Sequence, residues 1–119
     1  HITTFKSYLN DESGNPNPTY RCLFPEAPEG AAVFNCSDVG VMGSVVGTLG
    51  TLQATEIIKD IVGVGQSLVG RLLLFDALRM SFTEIKYAWD SDNPLNGRTA
   101  RISDLSDHRD GAGLVAGAG

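Results

Sequence analysis

The most reactive side chains in this sequence are its two cysteines, Cys22 and Cys36. Cys36 directly precedes a long glycine-rich and aliphatic run that has the pattern of a helix. The positive end of a helix dipole favours the thiolate of a nearby cysteine, so Cys36 is a candidate nucleophile. The alternative is a small buried residue at the entrance of the helix, since isolated cysteines are usually structural. Two cysteines give no disulfide framework, which favours a reducing, cytoplasmic compartment.

A few charged residues could also carry chemistry. Arg21 and Arg71 flank apolar runs and could reach a carboxylate or a phosphate, although a salt-bridged or solvated arginine is the commoner outcome. Asp76 ends an apolar run, where capping a turn is the plainer role. His108 lies in a run of charged residues that superficially resembles a metal site. Its surroundings are polar and glycine-rich, which favours a solvated segment.

The element that would position Cys36 is a helix between Cys36 and Gly65. Gly43, Gly47 and Gly50, followed by Ala54, recur at helical spacing and lie on one face. Glycine costs roughly 1 kcal/mol against alanine inside a helix. We therefore expect close backbone approach to a neighbour along this face, and a cost on the order of several kcal/mol for Gly47→Leu through overpacking. Because the other faces are also apolar, the pattern predicts one central buried helix.

The bounds of this helix have their own signals. Ser37 and Asp38 are candidate N-caps, and Gly63 and Gly65 indicate an end just beyond Lys59. The uncharged run is shorter than the roughly 18 to 20 apolar residues that a membrane span requires, and polar residues interrupt it. A core helix is therefore favoured over a membrane span, and we expect no membrane association.

The remaining elements are shorter. Ile2–Leu9 has the β-branched and aromatic residues of a strand, and Asn10–Pro18 has the composition of a polar surface loop. Leu68–Phe75 and Ser81–Trp89 predict an antiparallel hairpin connected through Asp76–Met80. With one long helix, this inventory predicts an α/β fold.

Composition limits the function classes. The chain has 119 residues, 42% of them hydrophobic and 19% charged, with a formal net charge of -5. These values indicate one globular domain and argue against nucleic acid as a partner, because no basic cluster is available to neutralise phosphates. Pro25–Asn35 is expected to be the most mobile loop. Residues 108–119 are expected to form a flexible tail or linker.

Four motifs follow one another along the chain: TYRCLFPE at 19–26, NCSDVGVMGSVVGTLGTLQATEIIK at 35–59, GRLLLFDAL at 70–78 and DNPLNG at 92–97. In this order they resemble the C-terminal part of the ThiF/MoeB/HesA family, the bacterial relatives of ubiquitin-activating enzymes. The resemblance implies a Rossmann-like α/β fold of which residues 1–107 are the C-terminal segment, with a hairpin and short extra strands around the central helix.

The resemblance also implies an activity. Members of this family use ATP and magnesium to adenylate the C-terminal Gly-Gly carboxylate of a ubiquitin-like sulfur carrier in thiamine or molybdopterin biosynthesis, and a homodimer is the family expectation. The sequence contains no G-x-G-x-x-G after a strand, so we expect the nucleotide half to lie upstream of His1 and this segment to be inactive alone. The alternatives are a non-catalytic docking module for a ubiquitin-like partner or subunit and, without positive support, a dinucleotide-dependent enzyme.

Two cysteine roles follow from the same resemblance. In the thiamine branch, the cysteine that matches Cys36 is proposed to form an acyl-disulfide with the carrier. Cys22 matches the second cysteine of a zinc-binding Cys-x-x-Cys, but the other three ligand positions hold Thr19, Asn93 and Asn96. Structural zinc requires four Cys or His ligands, so zinc is not expected here. The Asn-Pro-Leu-Asn-Gly turn can instead close through its own asparagine and glycine chemistry.

Overall fold

The structure, a computed structural model, describes residues 1–26 and 41–105. Within these two ranges it has two helices, α1 (Tyr20–Leu23) and α2 (Gly43–Val62), and two strands, β1 (Arg71–Asp76) and β2 (Ser81–Lys86). The described residues fall into two compact units, one made of residues 1–19 and 41–89 and the other of residues 20–26 and 90–105. The helix and the sheet lie in the first unit. The expected mixture of helix and strand is therefore confirmed.

The two strands form the predicted antiparallel hairpin. Leu72 pairs with Ile85 and Phe75 pairs with Phe82 along the ladder. The rings of Phe75 and Phe82 stack with their centroids 4.8 Å apart, as aromatic residues at directly paired positions can. The connection spans residues 77–80 and ends at Met80, whose φ of 52° turns the chain back into β2.

The first residues lie beside β1 but do not form the strand predicted for Ile2–Leu9. The backbone of Ile2 exchanges two hydrogen bonds with Leu73, at 2.9 and 2.8 Å. Thr4 then forms an isolated parallel bridge with Val69, and no continuous ladder connects the two pairings. The predicted strand is therefore reduced to two bridges.

The side chain of Thr3 explains why this ladder is interrupted. Its hydroxyl lies 3.1 Å from the carbonyl oxygen of Leu68, 2.7 Å from that of Arg71 and 2.7 Å from the hydroxyl of Tyr87. A hydroxyl that bonds to backbone carbonyls competes with the regular ladder. Sequence alternation does not reveal such competition, because it depends on residues more than sixty positions away.

The polar loop and the short apolar run that follows it both adopt local structure. The carboxylate of Asp11 accepts hydrogen bonds from the backbone amides of Ser13 and Asn15, each at 2.9 Å, and Gly14 has a φ of 84°. This is the loop predicted from its composition. The apolar run then forms the single turn of α1, so the described residues contain bridges and a short helix where short extra strands were expected.

Helix α2 ends where the sequence predicts and begins later. Gly63 has a left-handed φ of 75°, and its amide donates to the carbonyl of Lys59 at 2.8 Å. The residue before the helix is Met42, which is extended at φ -78° and ψ 110° and provides no side-chain cap. The predicted caps Ser37 and Asp38 lie outside the described residues. The extended backbone of Met42 separates them from the first helical turn.

The prediction of a buried central helix is wrong for this chain. No residue of α2 is buried. Val45, Leu49 and Leu52 form a half-buried stripe, whereas the side chains on the far side are exposed, with Ile61 at 80%. An apolar surface all round a helix shows what could be buried. The short elements of the described chain cover only one side.

The close packing predicted along the glycine face is also wrong within the described residues. A Cβ atom built on Gly43, Gly47 or Gly50 meets no atom within 4 Å. The half-buried stripe is the one with the larger aliphatic side chains, which gain more free energy on burial than glycines do. The expected overpacking at Gly47 therefore has no basis in this structure.

Two predicted features cannot be compared with the structure. Nearly all of the loop Pro25–Asn35 and all of the tail at 108–119 lie outside the described residues, so both stay predictions. In the described part, neither helix combines the length and the hydropathy needed to cross a bilayer.

Candidate functional site

The strongest sequence candidate lies outside the described residues. This is Cys36, whose role as a nucleophile stays a prediction, and the same holds for His108 and its acidic neighbours. The structure does describe the helix that follows Cys36, from Gly43 onward. Among the described residues, no three His, Cys, Asp or Glu side chains come together in a way that could hold a metal ion.

Arg21 is held in the second unit by its own neighbours. It is 5% exposed, and its Nη1 donates to the carbonyl oxygen of Phe24 at 3.3 Å. Its guanidinium also lies 5.8 Å from the centroid of the Tyr20 ring, within the range of a cation–π contact. The cation therefore contributes to the structure of the α1 segment.

Arg71 is likewise bound within its own unit. Its Nη2 donates to the carbonyl of Ser67 at 2.7 Å and to that of Gln66 at 3.3 Å. Its Nη1 pairs with Glu84 of the neighbouring strand, also at 3.3 Å. These bonds connect the start of β1 to the segment that precedes it.

Asp76 has the turn role that its position suggests. Its Oδ1 accepts hydrogen bonds from the backbone amides of Leu78 at 3.1 Å and Arg79 at 3.2 Å. A carboxylate that bonds to its own following backbone stabilises a tight turn. The structural interpretation of this residue is confirmed.

A charged cleft at the C-terminal end of α2 was not foreseen from the sequence. It has a volume of about 130 Å³, is open to solvent and lies between Lys6, Lys59, Glu56 and Asp60, with Gly63 and Gly65 among its lining residues. Lys6 pairs with Asp60, and Lys59 pairs with Glu56. The hydrogen bond with Asp60 raises the pKa of Lys6 above its ordinary value. The positive charge of each lysine is therefore paired with a carboxylate inside the cleft.

Glu56 is the most connected group of this cleft. One carboxylate oxygen accepts the backbone amide of Leu68 at 3.0 Å and the hydroxyl of Thr4 at 3.3 Å, and the other pairs with Lys59. Burial raises the pKa of Glu56, but the hydrogen bonds from Lys59 and Leu68 outweigh this effect, so its pKa lies below the ordinary value. The Glu56–Lys59 spacing was a visible signal of a helix pair, but nothing in the sequence indicated Thr4 or Leu68 as partners.

The second unit contains a compact loop at residues 90–97, centred on Asn93. Asn93 is fully buried, and its amide nitrogen donates to the carbonyl of Asp90 at 2.7 Å and to the side-chain oxygen of Asn96 at 2.8 Å. Its Oδ1 accepts the backbone amides of Leu95 at 3.0 Å and Asn96 at 2.9 Å. The expectation that asparagine chemistry closes this turn is confirmed.

Cys22 is connected to the same loop. Its Sγ accepts the backbone amide of Asp90 at 3.3 Å, which ties α1 to the first residue of the loop. In this unit the thiol acts as a hydrogen-bond acceptor that fixes one end of the loop.

A glycine-rich helix is followed along the chain by a β-hairpin and then by a closed asparagine loop. This is the order of the corresponding sequence motifs. Residues 2–95 match the family model described as the ThiF family. The match covers most of the chain, so the chain belongs to the ThiF family, and the resemblance based on the motifs is confirmed.

Curated relatives agree with this assignment. The chain is 48% identical over 80 residues to the SAMP-activating enzyme E1 of Haloferax volcanii, covering 67% of this chain and 30% of that protein. It is 52% identical over 73 residues to the adenylyltransferase and sulfurtransferase MOCS3 of Drosophila grimshawi, covering 61% of this chain and 16% of that protein. It is 44% identical over 100 residues to MOCS3 of Bos taurus, covering 83% of this chain and 22% of that protein. The chain therefore spans less than a third of the length of these relatives, and no solved structure matches it.

Proposed function

We propose that this chain is part of an ATP-dependent adenylyltransferase that activates the C-terminal Gly-Gly carboxylate of a ubiquitin-like sulfur carrier. The observation that carries this proposal is the family match over residues 2–95, together with relatives named as an adenylyltransferase and as an activating E1 enzyme. Because the matched region covers less than a third of each of these relatives, we propose that this chain is one segment of such an enzyme. A homodimer, a cytoplasmic location and service to thiamine or molybdopterin biosynthesis belong to the same proposal.

We infer that the described residues do not form an ATP site by themselves, because among them no G-x-G-x-x-G follows a strand. In adenylation the carrier carboxylate attacks the α-phosphate and pyrophosphate leaves, which requires cationic groups that can face phosphate oxygens. Lys6, Lys59 and Arg71 each pair with a carboxylate, Arg21 is buried, and Lys86, Arg98 and Arg101 are exposed. We therefore propose that ATP and magnesium are bound by a part of the enzyme outside the described residues, and that this segment alone is inactive.

Cys36 is the residue of this chain that we propose to form an acyl-disulfide with the carrier: a persulfide on Cys36, loaded by a sulfane-sulfur donor, attacks the acyl-adenylate, and AMP leaves. It lies seven positions before the first residue of α2, inside the motif at 35–59 that carries the family resemblance. The proposal rests on this position and on the family match.

The test of the activity is ATP–pyrophosphate exchange by the whole protein that contains this chain. We expect exchange that depends on a carrier ending in Gly-Gly and that is lost with a matched carrier lacking the last glycine. Binding of the carrier without any exchange would overturn the enzymatic proposal and favour a non-catalytic docking module.

The test of Cys36 uses the second cysteine as its control. A carrier adduct that is sensitive to reducing agent should form in the unmodified protein and in Cys22→Ser, and it should be absent in Cys36→Ser. An adduct that persists in Cys36→Ser would refute the assignment, whatever the result of the exchange assay.

A further inference from the structure

The amide of Asn93 has no hydrogen-bonding capacity left for another partner. A neutral asparagine side chain offers two donor hydrogens and two acceptor positions. In the loop at 90–97 both hydrogens are donated, to Asp90 and Asn96, and both acceptor positions are taken, by the amides of Leu95 and Asn96. With the side chain fully buried, this network is complete within the loop itself.

Cys22, Asn93 and Asn96 occupy positions that match zinc-binding cysteines of the family, so their chemistry can be compared with what a zinc site requires. The nitrogen of an amide side chain has no lone pair to offer, and the Oδ1 of Asn93 already accepts two amides. The Oδ1 of Asn96 accepts from Asn93, and the Sγ of Cys22 accepts from Asp90. A single thiolate at Cys22 falls short of the four Cys or His ligands of a structural zinc site. The residues present do not fit the metal.

The backbone around Asn93 is closed as tightly as its side chain. A Cβ atom on Gly97 would lie 2.4 Å from the carbonyl oxygen of Asn93, 2.7 Å from that of Ser91 and 2.8 Å from the amide nitrogen of Asn93. The amide of Gly97 also donates to the carbonyl of Asn93 at 3.0 Å. The chain therefore returns directly over Asn93, and this return requires a residue without a side chain.

We propose that the side chain of Asn93 performs the structural role that zinc has in relatives with four cysteines: it closes the loop at 90–97 through hydrogen bonds alone, and the fold of this chain is independent of zinc. In this arrangement Cys22 anchors the loop as a hydrogen-bond acceptor of Asp90. The proposal concerns folding and holds whether or not the adenylyltransferase proposal is correct.

The first test measures metal in the full 119-residue chain. The chain is produced in zinc-supplemented medium, desalted and analysed for zinc by elemental mass spectrometry, and its melting temperature is compared with and without EDTA. We expect far less than one zinc per chain and the same melting temperature in both conditions. About one zinc per chain, lost in Cys22→Ser and accompanied by a lower melting temperature in EDTA, would overturn the proposal.

The second test changes the amide. Asn93→Asp keeps the shape and the acceptors but removes both donated hydrogen bonds, and it places a carboxylate beside the oxygens of Asp90 and Asn96. The matched control is Asn15→Asp, the same change at an exposed loop position. We expect Asn93→Asp to lower the melting temperature by roughly 5 to 10 °C or to abolish the transition, and Asn15→Asp, which adds a solvent-exposed carboxylate to the Asp11 turn, to lower it far less. Equal melting temperatures for the two variants would refute the role of Asn93.

Discussion

Removing the carboxylate of Glu56 should destabilise the chain, because this group accepts hydrogen bonds from three other residues. Glu56→Ala leaves the amide of Leu68, a residue 8% exposed, without its acceptor and also removes the bonds to Thr4 and Lys59. An unsatisfied buried amide costs about 1 to 3 kcal/mol, and a hydrogen bond to a charged group contributes a similar amount. Because these terms overlap, we expect a loss of about 3 kcal/mol in the free energy of unfolding.

Urea unfolding followed by circular dichroism would measure this loss. With a slope of about 1.5 kcal/mol per molar urea, the midpoint should fall by roughly 2 M. The matched control is Glu84→Ala, which removes a carboxylate whose ion pair with Arg71 is 3.3 Å long and whose side chain is 38% exposed. Exposed pairs contribute about 0.2 to 1 kcal/mol. A midpoint for Glu56→Ala no lower than that for Glu84→Ala would refute the role assigned to Glu56.

The same residue predicts a dependence on pH. The pKa of Glu56 in the folded chain lies below its ordinary value of 4.5. A lowered folded-state pKa means that the ionised group stabilises the fold above the unfolded-state pKa, and that this contribution is lost as the pH falls through the folded-state value. The stability difference between the unmodified chain and Glu56→Gln should therefore be constant near pH 7 and shrink below about pH 4.5. A difference that grows in acid would contradict the assignment.

Three further predictions concern single substitutions. Gly47→Ala should raise the free energy of unfolding by about 0.5 to 1 kcal/mol in denaturant titrations, because the new Cβ atom meets no described atom and alanine is the better helix former. A loss of stability would instead indicate close packing along the glycine face. Gly97→Ala is the same change at a position where the Cβ would lie 2.4 Å from the Asn93 carbonyl oxygen. It should lower the free energy of unfolding by about 2 kcal/mol or more, and an unchanged value would show that the loop is loosely packed. Lys6→Gln should destabilise the chain at pH 7 less than Glu56→Ala does. This destabilisation should weaken in 1 M salt, because the side chain of the partner Asp60 is half-exposed, and an effect that is insensitive to salt would contradict a surface ion pair. It should also vanish as the pH rises through the raised folded-state pKa of Lys6.

Local signals in the sequence were sufficient for several elements. Gly63 ends α2 because a left-handed residue must follow the last helical turn, and Asp76 caps its turn through neighbours two and three positions away. The apolar run of β1 and the alternation in β2 predicted both strands and their pairing. In each case the residues that determine the structure are adjacent in the sequence.

The failures share a physical cause, which is dependence on distant residues. The helix face was misassigned because small residues were taken as the contact surface, whereas Val45, Leu49 and Leu52 form the half-buried stripe. In the cleft, Glu56 accepts hydrogen bonds from Thr4 and Leu68, and the helical pattern of the sequence does not predict either contact. The completeness of the network around Asn93 likewise required coordinates, although the replacement of cysteine by asparagine was visible in the sequence.

Polar side-chain bonds join helix α2 to other segments near its C-terminal end. Among the described residues, its side-chain hydrogen bonds and ion pairs to other segments come from Glu56 and Asp60, while Thr48, Thr51 and Thr55 bond to carbonyls of the helix itself. The distance from Glu56 back to Gly43 is about 20 Å at 1.5 Å per residue. A rotation of the helix by about 5° around Glu56 would displace the first turn by roughly 1.7 Å. Among the described residues, polar bonds therefore hold the C-terminal part of the helix, whereas its first turns are held through the half-buried stripe.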